Sequence, residues 1–388
     1  MNPRHRTRPP IGRSSWHHVA WGWPRSLPTG HSLLVVGPTQ VGKTSSIVIP
    51  SLVRWPGPVV VTSVKRDVVD ATSDWRSTLG TVDELRPSDG ATWDPLEFVT
   101  TYKDAFGVAR DLVVGDKGRT SAESEFWNAL AVKLLAARMA SVRARGGNIF
   151  DVVDDIAERR YLDDVPSTDD GGRVVLAMQQ HEARTADAIA TTAEAMLAPW
   201  HVRQPRVQLR GFTAGANTLY LVAPRHDHRR YEGLFRGALR TILEEQQLRH
   251  DAGEARELLL VLDEAATVAP LDDLDQIAAT GRGLGITLVS VFQDFAQMEA
   301  RFGDRAATIV NNHATRLILG GLVDPRTTTY LPELKGDEKE DRNLRRWPPG
   351  SAALVSGRSP VRTVRLLPWW RSRELRRRVH SRDLDTMR

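Results

Sequence analysis

Residues 32–44 read SLLVVGPTQVGKT, an aliphatic run that enters a glycine-bounded turn and ends on Lys43 and Thr44. Ser32–Val36 predicts a buried strand and the segment from Gly42 onward a helix, so the turn joins strand to helix. In that setting Gly37 to Thr44 match G-x-x-x-x-G-K-[ST]. The physical reading is a phosphate cradle in which Gly37, Pro38, Thr39, Gln40, Val41, Gly42, Lys43, Thr44 and Ser45 wrap a polyphosphate with backbone N–H groups at a helix N-terminus. The Lys43 ammonium neutralises the β- and γ-phosphates, and the Thr44 hydroxyl ligates Mg²⁺. ATP and Mg²⁺ are the expected ligands.

Working outward, Leu258–Leu262 (LLLVL) delivers Asp263 and Glu264 at the carboxyl end of a second aliphatic strand, where α/β sheets place their ligands. Asp263 is expected to hold Mg²⁺ through water. Glu264, adjacent to it, is placed to orient and deprotonate an attacking water. The following strand, Ile286–Val291, runs into Gln293, an amide able to contact the γ-phosphate or simply a turn residue. Arg282 stands among glycines in TGRGLG; an arginine finger toward a neighbouring subunit and a structural or DNA-facing arginine fit it equally.

The remaining periodicity predicts an α/β fold with a mainly parallel sheet and an inserted helical part. Pro58–Ser63, Thr218–Val222 and Thr315–Leu319 are further short aliphatic strands, buried on both faces. Between them, Asp104–Val113, a long helix starting near Ser124 with the stripe Phe126, Leu130, Leu134 and Ala137, and Glu182–Leu197 are expected helices. Asp163–Gly172 is expected to be a loop. A helix at Tyr231–Leu248 presents Tyr231, Leu234, Phe235, Ala238 and Ile242 on one face. The expected organisation is a basic arm (1–30), a nucleotide-binding α/β part (31–100), an all-α insertion (101–205), the second nucleotide-binding part (206–341) and a basic C-terminal segment (342–388).

Of 388 residues, 41% are hydrophobic and 26% charged, a folded-protein composition rather than a disordered one. The absence of cysteine excludes disulfides, thiolate zinc and cysteine nucleophiles, and suits a reducing compartment. No apolar run reaches the roughly 18 residues of a membrane span, so the chain reads as soluble and cytoplasmic, or as peripheral at the inner face of the cell membrane. Residues 1–30 carry five arginines and no acid, and residues 342–388 carry thirteen arginines against three acids. Such ends are attracted to nucleic acid or anionic membrane, or are solvated tails. Trp369-Trp370, set among arginines, either stacks bases, lies in a membrane interface or packs on the body. His17/His18 and His226/His228 lack a third ligand and carry no metal assignment. The segment Ser63–Asp67 (SVKRD) resembles a guanine-specificity motif without its leading asparagine, so GTP is not assigned.

Several blocks in order resemble the TraG/TraD-type coupling ATPases of conjugation and type IV secretion. They are GPTQVGKTSSIVIPSLVRWPGPVVVTSVKRD, TWDPL, SEFWNALAVKLLAA, TLYLVAPRHDHRRYEGLFRGALRTIL, LLLVLDEAATVAPLDDLDQIAATGRGLGITLVSVFQDFAQMEARFG and IVNNHATRLILGG, spanning roughly residues 32–335. The resemblance implies a RecA-like P-loop ATPase with an inserted all-α domain, hexameric when active, its hydrolysis stimulated by DNA. It implies coupling of a relaxase-bound single DNA strand, or a protein substrate, to the secretion channel, with relaxosome proteins as partners. Family members usually begin with transmembrane helices; here about thirty-six residues precede Gly37, so a soluble variant, a truncated copy or a separate membrane-anchoring partner is expected. Two alternatives stand beside the motor: a nucleotide-gated recruitment adaptor with little hydrolysis, and an FtsK- or HerA-like duplex translocase.

Overall fold

The computed structural model describes residues 10–11, 13–14, 25–26, 30–86, 90–113, 121–160, 170–223, 228–268, 271–322, 326, 330, 347–348, 350–357 and 359–379. The chain forms two compact units. The first comprises Met1–Asp83, Thr213–Val222 and Gln246–Arg388; the second comprises Glu84–Phe212 and Ala223–Glu245.

The first unit is an α/β layer built on strands β1 (Ser32–Val36), β2 (Val59–Ser63), β3 (Thr218–Val222), β4 (Leu258–Leu262), β5 (Ile286–Phe292), β6 (Thr315–Leu319), β7 (Ser351–Ser356) and β8 (Arg362–Arg365). β1 to β5 are buried along their whole length, which is why they read as uninterrupted aliphatic runs. Their order is Arg13–Ser14, β8, β7, β6, β1, β5, β4, β2, β3 and Val82–Leu85. The central pairs β6–β1, β1–β5, β5–β4, β4–β2 and β2–β3 are all parallel. β7, β8 and Arg13–Ser14 extend the sheet antiparallel. One consequence governs the site: β5 lies between β1 and β4, so three carboxyl-terminal strand tips converge.

Helices of this unit are α1 (Ile49–Arg54), α2 (Asp67–Ser77), α9 (Leu274–Thr280), α10 (Phe295–Phe302), α11 (Arg305–Asn312) and α12 (Arg373–Arg378). The helix expected after Gly42 opens as a π-helical turn, Thr44–Val48, before continuing as α1. The guanidinium of Arg76 on α2 is fully buried, with no carboxylate partner in hydrogen-bonding range among the described residues. It donates to Thr218 Oγ1 (2.7 Å) and to the carbonyls of Trp55, Gly57 (2.8 Å) and Ala216 (3.0 Å), tying the entries of β2 and β3 together.

The second unit contains α3 (Tyr102–Asp111), α4 (Ala122–Ala144), α5 (Ile149–Ala157), α6 (Asp170–Gln179), α7 (Ala183–Met196) and most of α8 (His228–Asp251). Thr101 and Asn148 close capping boxes with Asp104 and Asp151, which sets the starts of α3 and α5. Arg138 of α4 and Asp155 of α5 form a buried ion pair at 2.5 Å. The sequence places the helical insertion at 101–205, whereas this unit starts at Glu84 and takes in Ala223–Glu245. Side-chain to main-chain bonds account for the difference. Trp93 donates its indole N–H to the Leu234 carbonyl (3.1 Å), and Arg236 donates to the Asp111 carbonyl (3.0 Å), so the first part of α8 belongs with α3.

Two local expectations need correction. The stripe on α4 is buried at Leu134 and Ala137 but not at its start, where Phe126 is 57% exposed and packs edge-on against Trp127. Asp170–Gly172 belongs to α6 rather than to a loop, and 161–169 lie outside the described residues. Of the three readings of Trp369, packing on the body holds: it is 1% exposed and joins Ile49, Val53, Ala71, Leu375 and Val379 in a core cluster. His17, His18 and His226 lie outside the described residues, as does most of the N-terminal arm.

Candidate functional site

The turn after β1 owes its shape to two left-handed positions, Gln40 (φ 65°) and Gly42 (φ 89°). Such a reversal directs successive N–H groups to one side, the geometry of an anion nest. Gly37 is confined differently. A Cβ there would stand 2.8 Å from the Leu319 Cβ on β6, so only glycine lets the turn begin so close to the neighbouring strand. Lys43 Nζ crosses the loop and donates to the carbonyls of Gly37 and Pro38 (2.5 and 2.8 Å), which puts the ammonium on the concave side.

β4 carries Asp263 to the same edge. Its backbone carbonyl accepts from Thr62 Oγ1 at the tip of β2 (2.8 Å), and its carboxylate lies 3.4 Å from the Thr44 hydroxyl. Burial pushes the Asp263 carboxyl up to about 7, the Glu264 charge adds to this, Lys43 opposes it, Asp67 adds further and the Thr44 hydrogen bond opposes it. A hydroxyl and a buried carboxylate among other carboxylates form a hard-oxygen donor set that fits a small divalent cation, Mg²⁺ above others when phosphate oxygens complete the shell.

Glu264 adopts φ 58°, a left-handed backbone that non-glycine residues take at a cost of order 1 kcal/mol or more. Its carboxylate accepts from the Gln293 side-chain amide through both oxygens, at 3.1 and 2.9 Å. Gln293 follows β5 directly, and its own N–H donates to Gln297 Oε1 in α10 (Phe295–Phe302) at 3.1 Å. The Gly37 N–H donates to the Phe292 carbonyl (3.2 Å), linking the start of the P-loop to the same tip. Lys43, Thr44, Asp263, Glu264 and Gln293 are therefore gathered at one edge of the sheet.

Arg282 is not brought there. It lies in the 3₁₀ turn Gly281–Leu284 before β5, beside Gly30, while Gln293 follows the other end of that strand. Seven residues at about 3.3 Å each put the two roughly 20 Å apart, so Arg282 does not reach its own chain's P-loop.

One residue escaped the sequence reading. Asp67 begins α2 immediately beyond the β2 tip, and burial raises its carboxyl despite the hydrogen bond it accepts from the Val68 N–H (2.9 Å). Its charge adds to the field at Asp263. The available signal was its place just after the carboxyl end of a parallel strand, the ligand edge of such sheets.

Two family models match this chain. Residues 12–198 match the type IV secretory system conjugative DNA transfer family, and residues 257–376 match the TraM recognition site of TraD and TraG. The chain belongs to the TraG/TraD family of coupling proteins. The conjugal transfer protein TraG of Agrobacterium fabrum is 24% identical over 345 residues, covering 80% of this chain and 52% of its own length. TraG of Escherichia coli is 24% identical over 351 residues, covering 78% and 54%. The chain thus spans about half the length of the curated relatives it matches. Among solved structures, the bacterial conjugative coupling protein TrwB superposes with a TM-score of 0.69 at 16% identity, over 93% of this chain and 90% of the other. VirB4 of Thermoanaerobacter pseudethanolicus superposes with a TM-score of 0.55 at 10% identity, over 97% and 99%. These likenesses establish the RecA-like P-loop fold. Among the described residues, no helix is long and apolar enough to cross a membrane.

Proposed function

We propose that this family member is an ATP-hydrolysing coupling protein that links a relaxase-bound DNA strand, or a protein substrate, to a type IV secretion channel. The observation that carries the reading is the Glu264–Gln293 contact at the tip of β5, between the strand that feeds the P-loop and the strand that carries Asp263. A TrwB structure in complex with ADP and Mg²⁺, and another with a non-hydrolysable ATP analogue, support the choice of ligand.

Gly37 to Ser45 bind the triphosphate through main-chain N–H groups, and Lys43 turns its ammonium from the Gly37 and Pro38 carbonyls to the β- and γ-phosphates. Thr44 and Asp263 would hold Mg²⁺, which when bound would supply positive charge to neutralise the phosphate oxygens. Glu264 orients the attacking water and accepts its proton at a carboxylate oxygen. Gln293 positions Glu264 and stands where it also contacts the γ-phosphate, so loss of that phosphate is felt along β5 and α10. Arg282, remote from its own P-loop, acts on a neighbouring subunit's nucleotide in a hexamer. The protein works at the inner face of the cell membrane beside relaxosome proteins, with the insertion at 101–205 as the moving part.

ATP turnover by wild type and Glu264→Gln tests this, with and without single-stranded DNA, over a range of protein concentrations. DNA-stimulated turnover that rises cooperatively and falls by about 10²-fold or more in the variant is expected. No Mg²⁺-dependent turnover under any of these conditions overturns it. A second reading, nucleotide-gated recruitment with little hydrolysis, is favoured by one observation: the match to a TraM recognition site includes Glu264 and Gln293. It requires partner recruitment to survive Glu264→Gln and to vanish in Lys43→Ala. A strong preference for duplex over single-stranded DNA favours a duplex translocase instead.

A further inference from the structure

The C-terminal basic segment is a folded strap rather than a tail. The 3₁₀ turn Trp369–Arg371 and helix α12 (Arg373–Arg378) pack Trp369, Leu375 and Val379 against Ile49 and Val53 of α1 and Ala71 of α2. Its lateral side is bolted down as well. Glu374, the one acid between 347 and 379, is shared by Arg54 of α1 (3.3 Å) and Arg378 (3.2 Å). Arg378 lies over the Trp75 ring at 4.5 Å.

What remains is one exposed face. Arg373, Arg376 and Arg377 recur at i, i+3 and i+4, opposite Leu375 and Val379, and the preceding turn adds Arg371. Among the described residues no ion pair or hydrogen bond engages these four guanidinium groups. Residues 31–341 carry more acids than bases, so a polyanion is repelled by most of the chain and drawn to this face.

We propose that Arg371, Arg373, Arg376 and Arg377 form a rigid docking surface for the phosphate backbone of single-stranded DNA. The surface rests on the DNA-coupling reading above and gives it a place on the first unit, against the helix that leaves the P-loop. Phosphodiester recognition is favoured over a lipid surface by how α12 spends its apolar residues. An interfacial helix turns its apolar side to the acyl boundary, whereas Leu375 and Val379 are buried in the protein. Planar guanidinium forks pair with phosphate oxygens, and a preordered helix loses little entropy in presenting them.

The test is fluorescence anisotropy of a labelled oligothymidylate with the full chain, as wild type and as Arg371→Gln/Arg373→Gln/Arg376→Gln/Arg377→Gln, across a salt series. Arg54, Glu374 and Arg378 stay intact, and an unchanged melting temperature certifies the fold of the variant. The expected result is a loss of at least about 10-fold in affinity at low salt, with the log–log salt slope shallower by about 3, near 0.7 for each phosphate no longer neutralised. Equal affinity and slope in the two proteins overturn the surface and leave DNA coupling standing. No binding by wild type overturns both. A difference seen only with vesicles of anionic phospholipid overturns the surface in favour of a membrane-facing role.

Discussion

The Gln293 amide donates to both oxygens of Glu264, at 3.1 and 2.9 Å, across two adjacent parallel strands. A carboxylate meant to receive a proton from water is thereby held by a neutral donor that aims it without taking its charge. Gln293→Ala is expected to lower ATP turnover by about 10-fold or more while leaving nucleotide affinity within a factor of about 3. Steady-state turnover and equilibrium titration with a fluorescent ATP analogue separate the two quantities. Unchanged turnover, or affinity that falls in step with it, removes Gln293 from its positioning role.

Arg76 satisfies four main-chain carbonyls, those of Leu52, Trp55, Gly57 and Ala216, and one hydroxyl with a single guanidinium. Arg76→Met leaves those acceptors unpaired and is expected to cost about 3 kcal/mol or more in urea unfolding. Arg76→Lys restores the charge but not the planar fork, so it recovers less than half of the loss. Full recovery by lysine shows that charge alone matters there.

His313, wholly buried at the entry to β6, places Nδ1 2.7 Å from the Ile309 carbonyl and Nε2 3.0 Å from Ser290 Oγ. A carbonyl only accepts, so Nδ1 carries the proton and Nε2 accepts from Ser290. Burial drives the imidazole down to about 4, and the nearby Arg316 adds to this while the Ile309 hydrogen bond opposes it. The neutral form is the folded one, so its stability is present above pH 6.5 and is lost as pH falls toward 4. The loss attributable to this residue is of order 3 kcal/mol. Chemical unfolding of wild type and His313→Gln at about pH 7.5 and about pH 4.5 isolates it: the gap between the proteins should narrow or reverse in acid. A constant gap is the contrary result.

Trp369 fills the cluster between the strap and α1. Trp369→Ala is expected to destabilise by about 3–5 kcal/mol. Truncation at 342 removes the same cluster together with β7 and β8, so it is expected to unfold the first unit rather than trim a tail. Circular dichroism melts decide this; a truncated chain that melts as wild type returns the segment to the status of an appendage.

The strands of the parallel sheet were legible because each is buried on both faces, and burial on both faces leaves a mark in every residue from Leu258 to Leu262. The P-loop was legible for a related reason: close approach to phosphate and to Leu319 demands glycine at set intervals along one short segment. Asp67, Arg76 and Trp369 were not. Their surroundings come from segments more than a hundred residues away: Asp263 for the first, Ala216 and Thr218 for the second, Ile49 and Val53 for the third. Phe126 misled because helical periodicity marks a shared face, and only a neighbouring element makes that face a buried one.

By itself, the sequence determined the α/β class, the phosphate-binding turn and the residue types at the strand tips, all of which are local demands of backbone geometry and burial. Only the tertiary structure decided that β5 slides between β1 and β4. That placement rests on side chains packing on both faces of a sheet whose strands are distant in sequence, and the hydropathy of each strand is the same in any order. It is this order that brings Gln293 to Glu264 and leaves Arg282 at the far edge.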